Sequence, residues 1–385
     1  MINTAPEKKI KSTPITFHLP VIKVIGLGGG GCNAINRMIE LGLPGAEYIC
    51  ANTDAQALNS CLAETRIQLG PKTTRGLGSG GVPAIGTAAA EESAASIHAA
   101  LTGADMVFIT AGMGGGTGTG SIPVVARIAQ SIGAVTVGVV TTPFSFEMGR
   151  RQKNALEGLS QLRKYTDTLI TIPNDRLLKV APKDLPLELA FRLADDILRQ
   201  GIQGITELIT QPGLINVDFA HIRSLMLNGG GSLLSIGYGQ GEGKAVKAVD
   251  QALHHPLLES VPLENATGII TNFSGSSSLS FIEVAEALTN LQNMTNHHAD
   301  IIPGITQNEN LEDRVQVILI ITGLGGTPME SSAMVTSRDI EKKEPEKPVI
   351  KNNYHEEKDT PLTSMVYESV SLDLDVPAFM RRRNR

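Results

Sequence analysis

Twice in this chain an apolar run of strand length breaks into glycines and then into a helical pattern. Residues 21–27 lead into GLGGGGCN at 26–33 and on through Ala34, Ile35 and Met38, and residues 106–110 lead into GGGTGTG at 114–120. Backbone N–H groups without side chains in the way approach an anion closely, and a helix N-terminus adds about half a positive charge. Each cluster is therefore an anion cradle. For two cradles to converge, the strands before them must end at one edge of a sheet, as in a parallel α/β fold. The intervening sequence agrees, because apolar runs at 48–51, 135–140 and 169–172 are separated by segments long enough for crossover helices.

The first cluster alone leaves three readings open. It satisfies the dinucleotide pattern GxGxxG at Gly26, Gly28 and Gly31, with Asp54 placed as a ribose-binding acid; it also suits a triphosphate, or a purely structural turn. The second cluster favours several phosphates in a row, with Thr117 and Thr119 as hydroxyl donors among the glycines. No GxxxxGK[ST] occurs, so backbone dipoles and a phosphate-held metal must meet the charge. A third loop, RGLGSGGVP at 75–83, can close over a terminal phosphate.

Composition excludes other classes. A net charge of −6 gives no positive field for nucleic acid, which is not expected as a partner. No apolar stretch reaches the length of a membrane span. The three cysteines, Cys32, Cys50 and Cys61, lack metal-ligand spacing, so no protein-held metal is expected and the reducing cytoplasm is the expected compartment. At about 150 residues per domain, the 385 residues suggest two domains with a remainder. The expected organisation is a flexible leader at 1–19, a nucleotide domain at 20–186, a connecting helix at 187–212 and a second α/β domain at 213–326. A charged flexible linker at 327–371 and a tail peptide at 372–385 follow. The connecting helix carries Leu189, Leu193, Ile197, Ile202, Ile205 and Leu208 near helical spacing. Strands are expected in the second domain at 232–236, 266–273, 300–305 and 315–322.

Together with NTDAQAL at 52–58, PFSFE at 143–147 and VPAFMRRR at 376–383, these glycine motifs resemble the FtsZ family, the bacterial tubulin-like GTPases of cell division. The similarity runs from about Pro20 to Thr322 and resumes at the tail. It implies a tubulin-like fold: a parallel-sheet GTP-binding domain joined by a long central helix to a smaller α/β assembly domain. It also implies GTP and GDP as ligands, Mg2+ held through their phosphates, and an open question about a monovalent cation. Head-to-tail homopolymers that form a division ring are implied as well. The tail would dock membrane-tethering division proteins, placing the filaments at the inner face of the membrane.

Carried over onto this sequence, the resemblance puts phosphate contacts on Gly29, Gly30, Gly31, Cys32, Asn33, Gly116, Thr117 and Gly118, and ribose contacts on Glu147 and Arg151. Cys32 stands where the family commonly has glycine and reads as a small half-buried side chain rather than a reactive thiol. The base falls to Asp195, whose carboxylate can accept from both N1–H and the exocyclic amine of guanine, with Phe191 one turn earlier to stack on it. Asp196 then reads as solvent-facing. The family's water-orienting NxDxxD loop falls on Asn216 and Asp218, with His221 in place of the second acid; from the residues alone, Asn216 or Asp218 serves equally as a helix N-cap. His221 opens the alternative of a structural polymer with little GTP turnover. A Rossmann-type oxidoreductase would leave GGGTGTG without a purpose.

Overall fold

Every residue of β1 (Ile22–Leu27) is buried, which only a strand covered on both faces tolerates. Its neighbours β2 (Glu47–Asn52) and β4 (Met106–Gly112) both run parallel to it. The computed structural model describes residues 19–147, 149–178, 186–210, 218–227, 230–255 and 263–324. The leader up to residue 18, the linker, the tail peptide and Asn216 lie outside them.

The remaining strands are β3 (Thr65–Gln68), β5 (Val135–Thr142), β6 (Thr168–Pro173), β7 (Gly230–Gln240), β8 (Gly268–Gly275), β9 (Asp300–Gln307) and β10 (Arg314–Thr322). They form one sheet in the order β3-β2-β1-β4-β5-β6-β7-β10-β8-β9. The first six are parallel throughout. β3 was not expected from the sequence, because Ile67 is its only buried residue and so leaves no apolar run. β7 serves both halves: it pairs parallel with β6 only from Thr168↔Gly230 to Ile170↔Ser232, then antiparallel with β10 along most of its length. β10 and β8 are antiparallel, whereas β8 and β9 are parallel.

Alternate residues of β1 feed two cores. Ile22 and Val24 face α1 (Gly28–Glu40) and α8 (Leu187–Thr210), while Ile25 and Leu27 face a second cluster that includes α3 (Pro83–Glu92), α4 (Ala94–Leu101), α5 (Thr117–Ser131) and α6 (Arg150–Leu162). Helices on both faces make this a doubly wound α/β architecture. α8, about 36 Å long at 1.5 Å per residue, is the common spine. Its Ile197, Ile202 and Ile205 share a core with Val24 and Phe108 of the first half and with Ile270, Ile302 and Ile318 of the second. The buried stripe starts at Ala190 and Ala194 rather than at Leu189, which is 42% exposed. Small residues there let α8 lie close to α1, and that rotates the expected leucine outward.

The chain runs outward from β1 to β3 and returns to lay β4 on the other side of β1. Loops leaving the carboxyl ends of β1 and β4 therefore part and open a crevice between them. Among the described residues no helix is long and apolar enough to cross a membrane.

Candidate functional site

Both glycine clusters lie at that crevice. Gly28 has φ +67°, and a Cβ there would come within 3.0 Å of the Gly118 nitrogen, so the two clusters touch. A Cβ on Gly116 would strike the Ser79 hydroxyl at 2.3 Å, which packs the third loop onto the second. At Gly29 and Gly115 a Cβ would meet nothing within 4 Å; these two face open space. The space is a cavity of about 400 Å³. α1 and α5 begin at the clusters without any side-chain cap, so their first N–H groups remain available to a ligand.

Thr117 is a hydroxyl hub. Its Oγ1 lies 2.6 Å from Thr53 Oγ1 and 3.0 Å from Ser79 Oγ, joining the loop after β2, the third loop and the second cluster. Thr119 does something else: fully inward, its Oγ1 accepts from the Gly114 N–H at 2.8 Å and shapes the loop. Asp54 caps α2 (Ala55–Asn59), accepting from Gln56 N at 2.9 Å and Ala57 N at 3.1 Å, which commits the carboxylate that a dinucleotide would need for its ribose.

The cavity's other lining comes from the ends of β5 and β6 and from α8. Glu147 pairs with Arg151 and accepts from the Phe144 N–H at 2.9 Å. Phe191 meets Phe144 edge-on at 5.3 Å between ring centres. One helical turn later, burial pushes the half-buried Asp195 carboxyl up to about 7, with the Arg37 guanidinium pulling the other way. Asn174, 5% exposed, lines the same cavity, and its Oδ1 finds no partner among the described residues. A ligand with N–H donors fits that unmet acceptor and the nearby acid.

Residues 21–182 match the tubulin/FtsZ family GTPase domain, and residues 230–325 match the FtsZ family C-terminal domain. The structure superposes on an empty FtsZ dimer from M. jannaschii with a TM-score of 0.76 and 48% identity, over 79% of this chain and 88% of that one. The chain belongs to the FtsZ family. Two proteins from Haloferax volcanii share the FtsZ fold at 18% identity: CetZ1, a GDP-bound monomer (TM-score 0.72; 83% of this chain, 99% of that one), and CetZ2, a GTPγS-bound protofilament (0.69; 84% and 99%).

The GTPase domain of FtsZ implies GTP and GDP as ligands, and most of the residues expected from sequence line the cavity. Gly29, Gly30, Asn33, Gly116, Thr117, Gly118, Glu147, Arg151, Phe191 and Asp195 are brought together there. Gly31 and Cys32 are not. Gly31 abuts the backbone of Gly26 and Thr110, while Cys32 is 3% exposed rather than half-buried, its Sγ 3.7 Å from Gly26 O and 3.8 Å from Ala51 O. Asp196 is also more occupied than expected. Half-buried, with a side chain still 31% exposed, it accepts from Arg199 Nε at 2.8 Å and Gln200 Nε2 at 2.6 Å. Asp218 and His221 are exposed and line no part of this cavity. Asp218 Oδ1 accepts from Ala220 N at 3.0 Å at the start of α9 (Phe219–Leu227), the N-cap that its sequence position allowed. Sequence reasoning missed Asn174, which belongs to no quoted motif, and gave Thr53 of NTDAQAL no separate role; each follows the carboxyl end of a strand, which is the signal that was there to use.

If Asp195 takes the base, a carboxyl near 7 there makes guanine binding pH-dependent. Only the ionised form accepts from both guanine donors, so affinity is expected to fall about tenfold for each pH unit below about 7 and to level off above it. Titration with guanosine keeps phosphate ionisation out of the measurement. Asp195→Asn should flatten the profile; a flat profile in the parent would refute the assignment.

Proposed function

We infer that the protein binds GTP in this cavity and hydrolyses it when the loop carrying Asn216, Asp218 and His221 from the next copy docks over the phosphates. Copies then join head to tail into filaments that build a cell-division ring. One observation carries this reading. Of the two carboxylates lining the cavity, Glu147 is paired with Arg151 and Asp195 sits beside Phe191, so neither is free at the glycine cradles to orient a water, while Asp218 and His221 stand exposed elsewhere. The cavity is a binding half-site.

In this reading the uncapped N–H groups of α1 and α5, with Thr117 and Ser79, hold the phosphates in line, and Asp195 with Asn174 selects the base. Mg2+ carried by the phosphates would offset their charge; hydroxyls and backbone amides around it suit a phosphate-held ion rather than a protein-held one. The tail at 372–385 docks membrane-tethering proteins through Val376, Pro377, Ala378 and Phe379, which holds filaments at the inner face of the membrane. GTP turnover per molecule should be nearly absent below a threshold concentration and rise with light scattering above it. Constant specific activity down to dilute monomer would overturn the shared site. Running the assay with and without a potassium salt decides the monovalent-cation requirement. A second reading, a polymer with slow turnover, is favoured by His221 standing where an acid is expected.

A further inference from the structure

The chain has three cysteines in 385 residues, and the fold brings all of them to one point. Their Sγ atoms lie within 4.8 Å of one another. Cys32 comes from the first turns of α1, Cys50 from β2 and Cys61 from the turn that follows α2. All three are buried, at 3%, 0% and 5% exposure. None lines the nucleotide cavity. Packing alone would accept alanine or valine at each position; it does not require every sulfhydryl of the chain to meet.

We propose that Cys32, Cys50 and Cys61 form a three-sulfur binding site for one soft, thiophilic divalent metal ion. A metal about 2.3 Å from each of three sulfurs needs sulfur–sulfur spacings of about 4 Å, which small side-chain shifts reach from a mutual spacing of 4.8 Å or less. Among the described residues no histidine or carboxylate joins the group, so a closed four-ligand zinc site is not built and the all-sulfur donor set selects a softer ion.

Each cysteine ligates as its thiolate, so binding releases the thiol protons to solvent, and the two positive charges of the ion offset the charge gathered on the buried sulfurs. Entry needs only a short surface turn to open, since Asn59 and Ser60 beside Cys61 are exposed and Leu62 is 51% exposed.

The test uses the full chain, reduced and saturated with GDP, titrated with Cd2+. One ion per chain is expected, seen as a sulfur-to-cadmium charge-transfer band, with three sulfur neighbours by X-ray absorption. Saturating Cd2+ should also raise the midpoint of thermal unfolding by about 5 °C, because the ion binds only the folded arrangement of three separate elements. Cys50→Ala should abolish the band and the thermal shift. GDP binding checks that this variant is folded, and Cys61→Ser, nearer the surface, is the second variant. A band or thermal shift that survives in folded Cys50→Ala, no band in the reduced parent, or a coordination shell without three sulfurs would each overturn the site.

Discussion

Asp195→Ala is expected to weaken GTP and GDP binding by about 10²–10⁴-fold while leaving the weak binding of ATP unchanged or slightly improved. Guanine offers two adjacent donors to the carboxylate, and each hydrogen bond to a charged acceptor contributes about 1.5–3 kcal/mol. Adenine presents an acceptor at N1, so the same carboxylate repels it and its removal brings relief. Asp195 lies on α8 one turn from Phe191, on the buried side of the helix and within the cavity lining. Substitution removes a half-buried carboxyl that burial already disfavours, so the variant should fold. Equilibrium titration of parent and variant with GDP and ATP reads the effect. Equal affinity of the parent for both nucleotides, or an equal loss for both, would show that base selection lies elsewhere.

His221→Asp is expected to raise GTP turnover ten- to a thousandfold, about the range of a single general-base or electrostatic contribution. His221 is exposed at the start of α9, three residues after Asp218, so the two present to the same surroundings. If an acid at this position helps to orient water, the parent lacks that help and its filaments should be long-lived. A rival account gives the neutral imidazole the acceptor role. His221→Ala should then lose turnover, and the aspartate should gain little. In a third account His221 merely covers the helix surface, and both His221→Asp and His221→Ala leave turnover unchanged. Asp218→Ala should abolish turnover in every case. That substitution also removes the bond to the Ala220 N–H, a loss of about 1 kcal/mol, so its filaments must be shown to form before the rate is read. Rates of the three variants above the assembly threshold separate the accounts.

The parallel strands of the first half could be read from short apolar runs because burial on both faces writes itself into sequence locally. β1, β2, β4, β5 and β6 all lie where such runs occur. β3, buried only at Ile67, leaves no such trace. The glycine clusters that line the cavity were equally legible, since a run of glycines at a strand–helix turn is written within a few residues of chain. Phe191 and Asp195, which line the opposite side of the cavity, lie one turn apart on one helix, and that spacing is local too.

What the sequence could not show is which distant segments meet. Thr53 and Thr117 are 64 positions apart, and their contact exists only because β2 and β4 flank β1. The same order brings Asn174 into the cavity from the end of β6 and gathers three scattered cysteines behind α1. Helix geometry, rather than strand order, turns Gly31 and Cys32 inward, against the expectation that all of 29–33 faces phosphate, because a helix beginning at Gly28 presents only part of its first turns to the crevice. Local periodicity and glycine placement therefore determined the elements and the chemistry each loop can perform. Strand order, a property of long-range pairing that no short window encodes, decided which of those loops share a site.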